Sequence, residues 1–381
     1  MTASHQTALV IGAGIAGSQC ARALAQRGFT VTVLESRPRP STDEARLQGA
    51  LYVKLGVDYS PETRFAWTAL CRALEHYPAL QSQHPDIAFW YPSGLLQLVW
   101  NERETDRQRR FLERNAYPES ILEPVTAPQA SELSGLPVYC SGLWFPVSGH
   151  IRPERLCEAA LSHSRIKTQF ASPVAGIEQA GNGDWRVHTP NQSYQTNQLV
   201  VATGASTGRL MPELPLKAIR GQLSLMDASG GGNIPACVVC GAGYAIPPLN
   251  GTQIVGATFD IHDDTGEPRA ESHARNLSNL AQWLPGLASR YGPSHNYQAR
   301  VGFRATTPDY LPIAGPSLPS QQDSTQPPSL FVLTGLGSKG LAYSPILAEH
   351  IACTASGEPS PLDADLVRRL SVGRFHHRAS T

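Results

Sequence analysis

The sequence has no excess of charge of either sign: lysine plus arginine and aspartate plus glutamate each number 31. A bulk field that would draw the chain to nucleic acid or an anionic membrane is therefore lacking. No apolar run approaches the roughly 18 residues that a membrane-spanning helix needs. Nor does a basic leader separate "MTASHQT" from the first apolar stretch, so a cytoplasmic location is expected, with no membrane partner. Disulfide scaffolding is excluded by seven cysteines at irregular spacing in a chain of 381 residues. Cys237 and Cys240 form a CxxC in "ACVVCGAGY". It lacks the second pair or nearby histidines of a zinc site and the following helix of a redox site. Its β-branched surroundings predict buried, structural thiols, and no metal site is expected. There is no internal repeat. A 41% hydrophobic and 16% charged composition is that of a globular chain, long enough for two domains or one composite.

Glycine is what the chain places with purpose. "TALVIGAGIAGSQCARALAQRGFTVTVLES" reads as strand, tight turn, helix and strand, with Gly12, Gly14 and Gly17 spaced as GxGxxG. The first glycine suits the turn, the second lets a pyrophosphate approach the helix N-terminus, and the third packs helix on strand. Glu35 ends the second strand, 21 residues past Gly14, where a carboxylate accepts hydrogen bonds from a ribose. The pattern predicts a dinucleotide site.

The βαβ rhythm then breaks. A helix over "ETRFAWTALCRALEHY", a short strand pair around "FWYPSGLLQLVW" and a mixed-charge helix "NERETDRQRRFLERN" are expected before the strand "QLVVATGAS" returns to the nucleotide-binding sheet. "AIRGQLSLM", "CVVCGAGYAIPP" and "TQIVGATFD" read as antiparallel strands, followed by the helix "ESHARNLSNLAQWL". The polar, proline-containing stretch 317–329 reads as a surface loop. The expected architecture is α/β: a Rossmann-type FAD-binding domain (1–59, 151–215 and 301–381) interleaved with a β-sheet-rich substrate domain (60–150 and 216–300). A nicotinamide dehydrogenase would more often complete its βαβ halves first; the interruption suits a flavin lying across two domains. A second glycine loop, "TGLGSKGLAYSP", would then reach the far end of that cofactor.

Several stretches resemble the D-amino-acid-oxidase-like superfamily of FAD enzymes: GxGxxG with Glu35, "VVATGAS", "GYAIPPLNGTQIVGAT", "VGFRATTPDYLPIAG" and "TGLGSKGLAYSP". Within it, "RLQGALYVKL", "GLLQLVW", "RPERLCEAAL", "RGQLSLM" and the tail "LGSKGLAYSPILAEHIACTASGEPSPLDADLVRRL" resemble the FAD-dependent half of the MnmC family, bifunctional tRNA wobble-uridine enzymes. The likeness runs through nearly the whole chain in order, and implies a stand-alone oxidoreductase module without the methyltransferase half. Two departures stand out. Ala45, Arg46 and Leu47 replace the family's Gly-Asn-Arg before Gln48 and Gly49, and Lys339 replaces the usual arginine of the late glycine loop.

The resemblance implies noncovalent FAD held by Gly12, Gly14, Gly17, Glu35, Gln48, Gly49, Gly204, Gly335, Gly337, Ser338, Lys339, Gly340 and Leu341. It implies removal of the carboxymethyl group from carboxymethylaminomethyl-uridine in a tRNA anticodon loop, giving aminomethyl-uridine and glyoxylate. Arg304 would grip the substrate carboxylate, since a guanidinium can bind one in bidentate fashion. Tyr244 would add a hydroxyl contact, and Lys339 would stabilise the reduced ring from a helix start. A separate S-adenosylmethionine-dependent methyltransferase acting next is an implied partner. Among basic stretches, Arg103, Arg107, Arg109, Arg110 and Arg114 are interspersed with acids and read as a solvated face. Arg368, Arg369, Arg374, His376, His377 and Arg378, with no acid after Asp365, are the better candidates for phosphate contact. The alternatives are a glycine- or sarcosine-type amine oxidase, which the neutral charge favours, and a noncatalytic flavin-binding module that docks tRNA.

Overall fold

The computed structural model describes residues 6–40, 47–181, 183–291, 297–317 and 329–378, with side chains to Phe375. A six-stranded sheet has the order Ile313–Pro316, Leu330–Thr334, Gln198–Val201, Thr7–Ile11, Thr30–Leu34, Ile166–Gln169. All its pairs are parallel except that between Ile313–Pro316 and Leu330–Thr334. Its strands are apolar on both faces because both faces are covered. Ala8, Val10, Val31, Val33, Val200, Phe331 and Leu333 point into a core shared with helices Ile15–Gln26, Pro61–Gln83 and Gly340–Ser356. Their neighbours Leu9, Ile11, Leu34, Leu199, Val201, Leu330 and Val332 point the other way, onto Trp185 and Val187 of an antiparallel meander spanning 176–196. This period of two is the strand's own geometry.

An eight-stranded sheet runs Gln298–Thr306, Lys217–Asp227, Thr252–Gly256, Tyr244–Leu249, Val238–Cys240, Leu95–Leu98, Gly142–Phe145, Glu123–Val125. It is antiparallel but for the pairing of Val238–Cys240 with Leu95–Leu98. Helix Ala270–Trp283 packs over it through Leu280 and Trp283. The strand pair expected around "FWYPSGLLQLVW" does not form. Trp90–Tyr91 pairs instead with Gly149–Ile151 in a small separate sheet, and Leu95–Leu98 joins the large one. The chain turns through Ser93 and Gly94 (φ +74°), and a Cβ on Gly94 would run into the Trp144 ring. Both strands therefore find partners far along the chain, Trp90 opposite Ile151 and Leu95 opposite Phe145.

Cys237 and Cys240 are buried, free thiols pushed up to about 12 by burial. No described helix is long and apolar enough to cross a membrane. Of the expected loop 317–329, residues 318–328 lie outside the described residues.

Candidate active site

The carboxyl ends of four adjacent parallel strands, ending at Ile11, Leu34, Val201 and Thr334, open on one cleft of about 580 Å³. This is where doubly wound sheets bind ligands. Glu35 follows the strand at one side, Gly335 the strand at the other, and Gly12 and Gly204 follow the strands between. Three strand spacings separate the sides, about 15 Å. The two glycine loops therefore serve one elongated site.

Each glycine of the first loop has a separate reason. Gly12 has φ +105° and a Cβ there would lie 2.5 Å from the Ala202 carbonyl oxygen. A Cβ on Gly17 would lie 1.9 Å from the Gly12 carbonyl oxygen, so the helix can sit against the turn only without one. Gly14 has no protein atom within 4 Å of that position and lines the cleft. Helix Ile15–Gln26 starts there with no side-chain cap and no acid in its first turn. Helix Gly340–Ser356 also starts at the cleft in the same uncapped state, behind Gly335 (φ +72°) and Gly337 (φ +55°). Both ends thus leave backbone N–H groups, with their partial positive charge, for an anionic ligand.

Glu35 accepts from the Ala13 amide (2.9 Å) through one oxygen and from the Arg37 amide (3.0 Å) through the other. Burial pushes its carboxyl up, but the amides of Arg37 and Ala13 and the Arg37 guanidinium outweigh that and hold it below the usual range. Gln48 is buried, and neither end of its amide has a partner. Such a group needs a ligand or water.

At the opposite side Arg304 lines the cleft. Its Nη1 donates to the Thr258 carbonyl (3.2 Å), its guanidinium lies 5.8 Å from the Phe259 ring centroid, and no described carboxylate forms an ion pair with it. A Cβ on Gly221 would fall 2.1 Å from Nη1, so that glycine makes room for the guanidinium. Burial lowers the Arg304 pKa, with the charges of Tyr244 and Asp260 opposing. Tyr244 is pushed up to about 12 by burial, against the pull of the Arg304 charge, and stays a neutral phenol. The two residues are thus within electrostatic reach of each other.

A family model described as FAD dependent oxidoreductase (DAO) matches residues 7–354. The chain belongs to this family of FAD-dependent oxidoreductases. The tRNA 5-methylaminomethyl-2-thiouridine biosynthesis bifunctional protein MnmC of Marinobacter nauticus is 42% identical over 381 residues, covering 98% of this chain and 59% of the relative. The protein of that name from Hahella chejuensis is 35% identical, covering 97% and 60%. The chain thus spans about three fifths of the length of these relatives. Among solved structures, glycine oxidase from Geobacillus kaustophilus matches with a TM-score of 0.78 at 20% identity, covering 97% of this chain and 99% of that one. Iminodiacetate oxidase from Chelativorans sp. BNC1 matches with a TM-score of 0.75 at 20% identity, covering 96% and 98%. At this identity they establish the fold.

The cleft of this flavoenzyme fits FAD. Open Gly14 at an uncapped helix start suits a pyrophosphate, Glu35 a ribose, and the second uncapped helix start a ring that becomes anionic on reduction; Gln48, with its orphaned amide, is not among the lining residues. Of the residues expected at the cofactor, Gly12, Gly14, Glu35, Gly204, Gly335, Gly337 and Gly340 line the cleft. Gly17 packs behind it. Gly49 lies against Leu341, which is buried and whose carbonyl accepts from Tyr77 Oη. Ser338 is exposed and, like Lys339, is not among the lining residues. The Lys339 ammonium lies 5.5 Å from the Tyr343 ring centroid, with its pKa lowered by burial. Arg37, Pro173, Val174, Thr203, Arg209, Phe303 and Thr334 also line the cleft and escaped the sequence reading. Only adjacency to Glu35, "VATG", Arg304 or "TGLG" could have pointed to several of them.

The described arginines of the expected basic tail are not free. Arg374 pairs with Asp309 (3.0 Å), Arg369 with Asp365 (3.0 Å) and Glu62 (3.3 Å), and Arg368 with Asp365 (2.5 Å). The acids missing from the tail's own sequence are supplied from earlier in the chain. The side chains of His376, His377 and Arg378 lie outside the described residues.

Proposed function

We propose that this chain uses FAD to remove the carboxymethyl group from carboxymethylaminomethyl-uridine at the wobble position of tRNA, giving aminomethyl-uridine and glyoxylate. The observation that carries the reading is Arg304, a largely desolvated cation in the cofactor cleft with no described carboxylate to pair with. A buried unpaired guanidinium is costly unless a ligand supplies the anion. The target is an N-substituted glycine, whose carboxylate meets that need. Arg304 would hold the carboxylate while Tyr244, a neutral phenol, adds a hydrogen bond and orients the methylene. Bound FAD would supply the two-electron acceptor. The substrate nitrogen must be unprotonated for its lone pair to form the imine, and water then splits that imine into glyoxylate and primary amine. With the amine bound neutral, no protein base is required.

The proposal of tRNA as substrate rests on the MnmC relatives, whose names state tRNA 5-methylaminomethyl-2-thiouridine biosynthesis. A methyltransferase acting on the primary amine product, and a cytoplasmic site of action, belong to the same reading. Segments 1–59, 151–215 and 301–381 would hold the cofactor, and 60–150 with 216–300 the substrate. The second reading, a small amine or amino-acid oxidase, is favoured by the ion-paired tail arginines and the balanced charge. Mass spectrometry of wobble nucleosides from cells lacking the protein tests the choice: carboxymethylaminomethyl-uridine accumulates under the proposal, and an unchanged nucleoside profile rejects it.

A further inference from the structure

Beside Arg304 the eight-stranded sheet changes register. Ser224 stands opposite Val255, yet Arg220 stands opposite Asp260, four steps along one strand against five along the other. One extra residue on one side is a β-bulge, and it turns every later side chain to the other face. In the shifted register Asp260 shares a face with Arg220, and Phe259 falls opposite Gly221, on the face of Arg304. The contacts agree: Asp260 Oδ2 lies 3.4 Å from Arg220 Nη1, and the Phe259 ring centroid lies 5.8 Å from the Arg304 guanidinium. Without the bulge the two would exchange faces, and the Asp260 carboxylate would stand on the side of Arg304.

Just past the bulge one ladder bond is replaced by another. Arg220 and Asp260 make the reciprocal pair of an antiparallel ladder, amide to carbonyl in each direction (3.1 and 2.9 Å). Two residues along, Gln222 and Thr258 are placed to do the same, and the Thr258 amide does donate to the Gln222 carbonyl (3.2 Å). The Gln222 amide, however, donates to the Thr258 hydroxyl (3.0 Å), and the Thr258 carbonyl accepts from Arg304 Nη1 (3.2 Å). Thr258 is buried, and its hydroxyl proton goes to Asp260 Oδ2 (3.0 Å). Arg275 in turn holds both oxygens of Asp260 (2.7 and 3.0 Å). A hydroxyl has one proton to give and lone pairs to accept with, so with Asp260 taking the proton it can serve the Gln222 amide in place of a carbonyl. A buried carbonyl released in this way must find another donor, and here that donor is the Arg304 guanidinium.

Resting on the carboxylate role proposed above for Arg304, we infer that Thr258 is its positioning residue. The Thr258 hydroxyl takes the ladder place of its own carbonyl, and the freed carbonyl fixes the guanidinium above Gly221. A guanidinium is a rigid planar fork, so an acceptor fixed at one nitrogen sets the direction of the remaining donors. Loss of the hydroxyl returns the carbonyl to the Gln222 amide and releases Arg304.

The experiment follows flavin absorbance while FAD-loaded protein is titrated with methoxyacetate, which has the carboxylate and methylene of an N-substituted glycine but no amine to oxidise. Thr258→Val should weaken binding about tenfold, the loss of one oriented charge-assisted contact. Thr258→Ser, which keeps the hydroxyl, should bind as wild type does. Thr258→Ala removes the hydroxyl without adding bulk and repeats the test if the valine variant fails to hold FAD. Arg304→Leu should bind far more weakly than wild type, and adding Thr258→Val to it should cost nothing further, because the threonine acts through the arginine. Wild-type binding in Thr258→Val or Thr258→Ala, or the same loss in the Arg304→Leu background, overturns the role of Thr258 and leaves the proposed function standing. If Arg304→Leu binds methoxyacetate as wild type does, the carboxylate reading falls, and the inference with it.

Discussion

Arg220 and Arg304 stand on paired strands, Arg220 opposite Phe303 and Arg304 opposite Ile219, and their surroundings are opposite in kind. Arg220 is wholly buried and satisfied, by two backbone carbonyls, the Gln222 amide and Asp260. Arg304 has one described carbonyl bond and no carboxylate. The first is a structural fastening, and the second has the unpaired charge that the proposed carboxylate contact calls for.

The two arginines should therefore fail differently. Arg220→Met strips the loop 258–269 of its anchor and leaves Asp260 short of a partner, costing about 3–5 kcal/mol of stability in urea denaturation. Arg304→Leu should leave the melting point nearly unchanged and lower kcat/KM for an N-substituted glycine about a hundredfold, the loss of a charge-assisted contact worth about 3 kcal/mol. Full activity in Arg304→Leu would remove the carboxylate role.

Gly14 and Gly17 make a second contrast. Gly14→Ala should fold as well as wild type, because the added Cβ has no protein atom within 4 Å, yet bind FAD about two orders of magnitude more weakly. Gly17→Val should destabilise the apoprotein by about 3 kcal/mol, its Cβ colliding with the Gly12 carbonyl. Flavin titration and thermal melting of the apoproteins separate the two. Acid denaturation of wild type should release the flavin into solution, as noncovalent binding requires.

Lys339→Met tests the late loop. If the lysine acts on the reduced ring from its helix start, the two-electron potential should fall by about 30 mV, equivalent to about 1.4 kcal/mol, with FAD still bound. An unchanged potential assigns the ammonium to its Tyr343 contact alone.

Acid should destabilise the fold through buried histidines. Burial pushes His76, His150 and His350 down to about 4. Between about pH 6.5 and 4 the unfolded chain binds protons that the folded chain refuses, so stability is full above that window and falls as pH drops through it, by at most roughly 3 kcal/mol per histidine. Glu35, held below its usual value, adds a further loss at lower pH. Urea denaturation at pH 7 and pH 5 should show a clear decline, reduced in His350→Gln.

What the sequence revealed and what it hid follow a physical line. The roles of Gly12, Gly14 and Gly17 are set within one turn, and the alternation of Leu9 and Val10 follows from strand geometry, so both could be read locally. The Ala13 amide on Glu35 spans 22 residues, the room Gly221 gives Arg304 depends on strand register, and Asp309 reaches Arg374 across 65. Such contacts leave no periodic trace. For the same reason Arg368, Arg369 and Arg374, which look like part of a basic run along the chain, are paired in space.

The most direct test is anaerobic mixing of the FAD-loaded protein with tRNA bearing carboxymethylaminomethyl-uridine, following flavin absorbance and then the wobble nucleoside by mass spectrometry. The account predicts that the flavin bleaches, the nucleoside loses its carboxymethyl group, and glyoxylate appears in equal amount, while glycine and sarcosine bleach the flavin far more slowly. Rapid bleaching by glycine or sarcosine, with modified tRNA leaving the flavin oxidised, would contradict it.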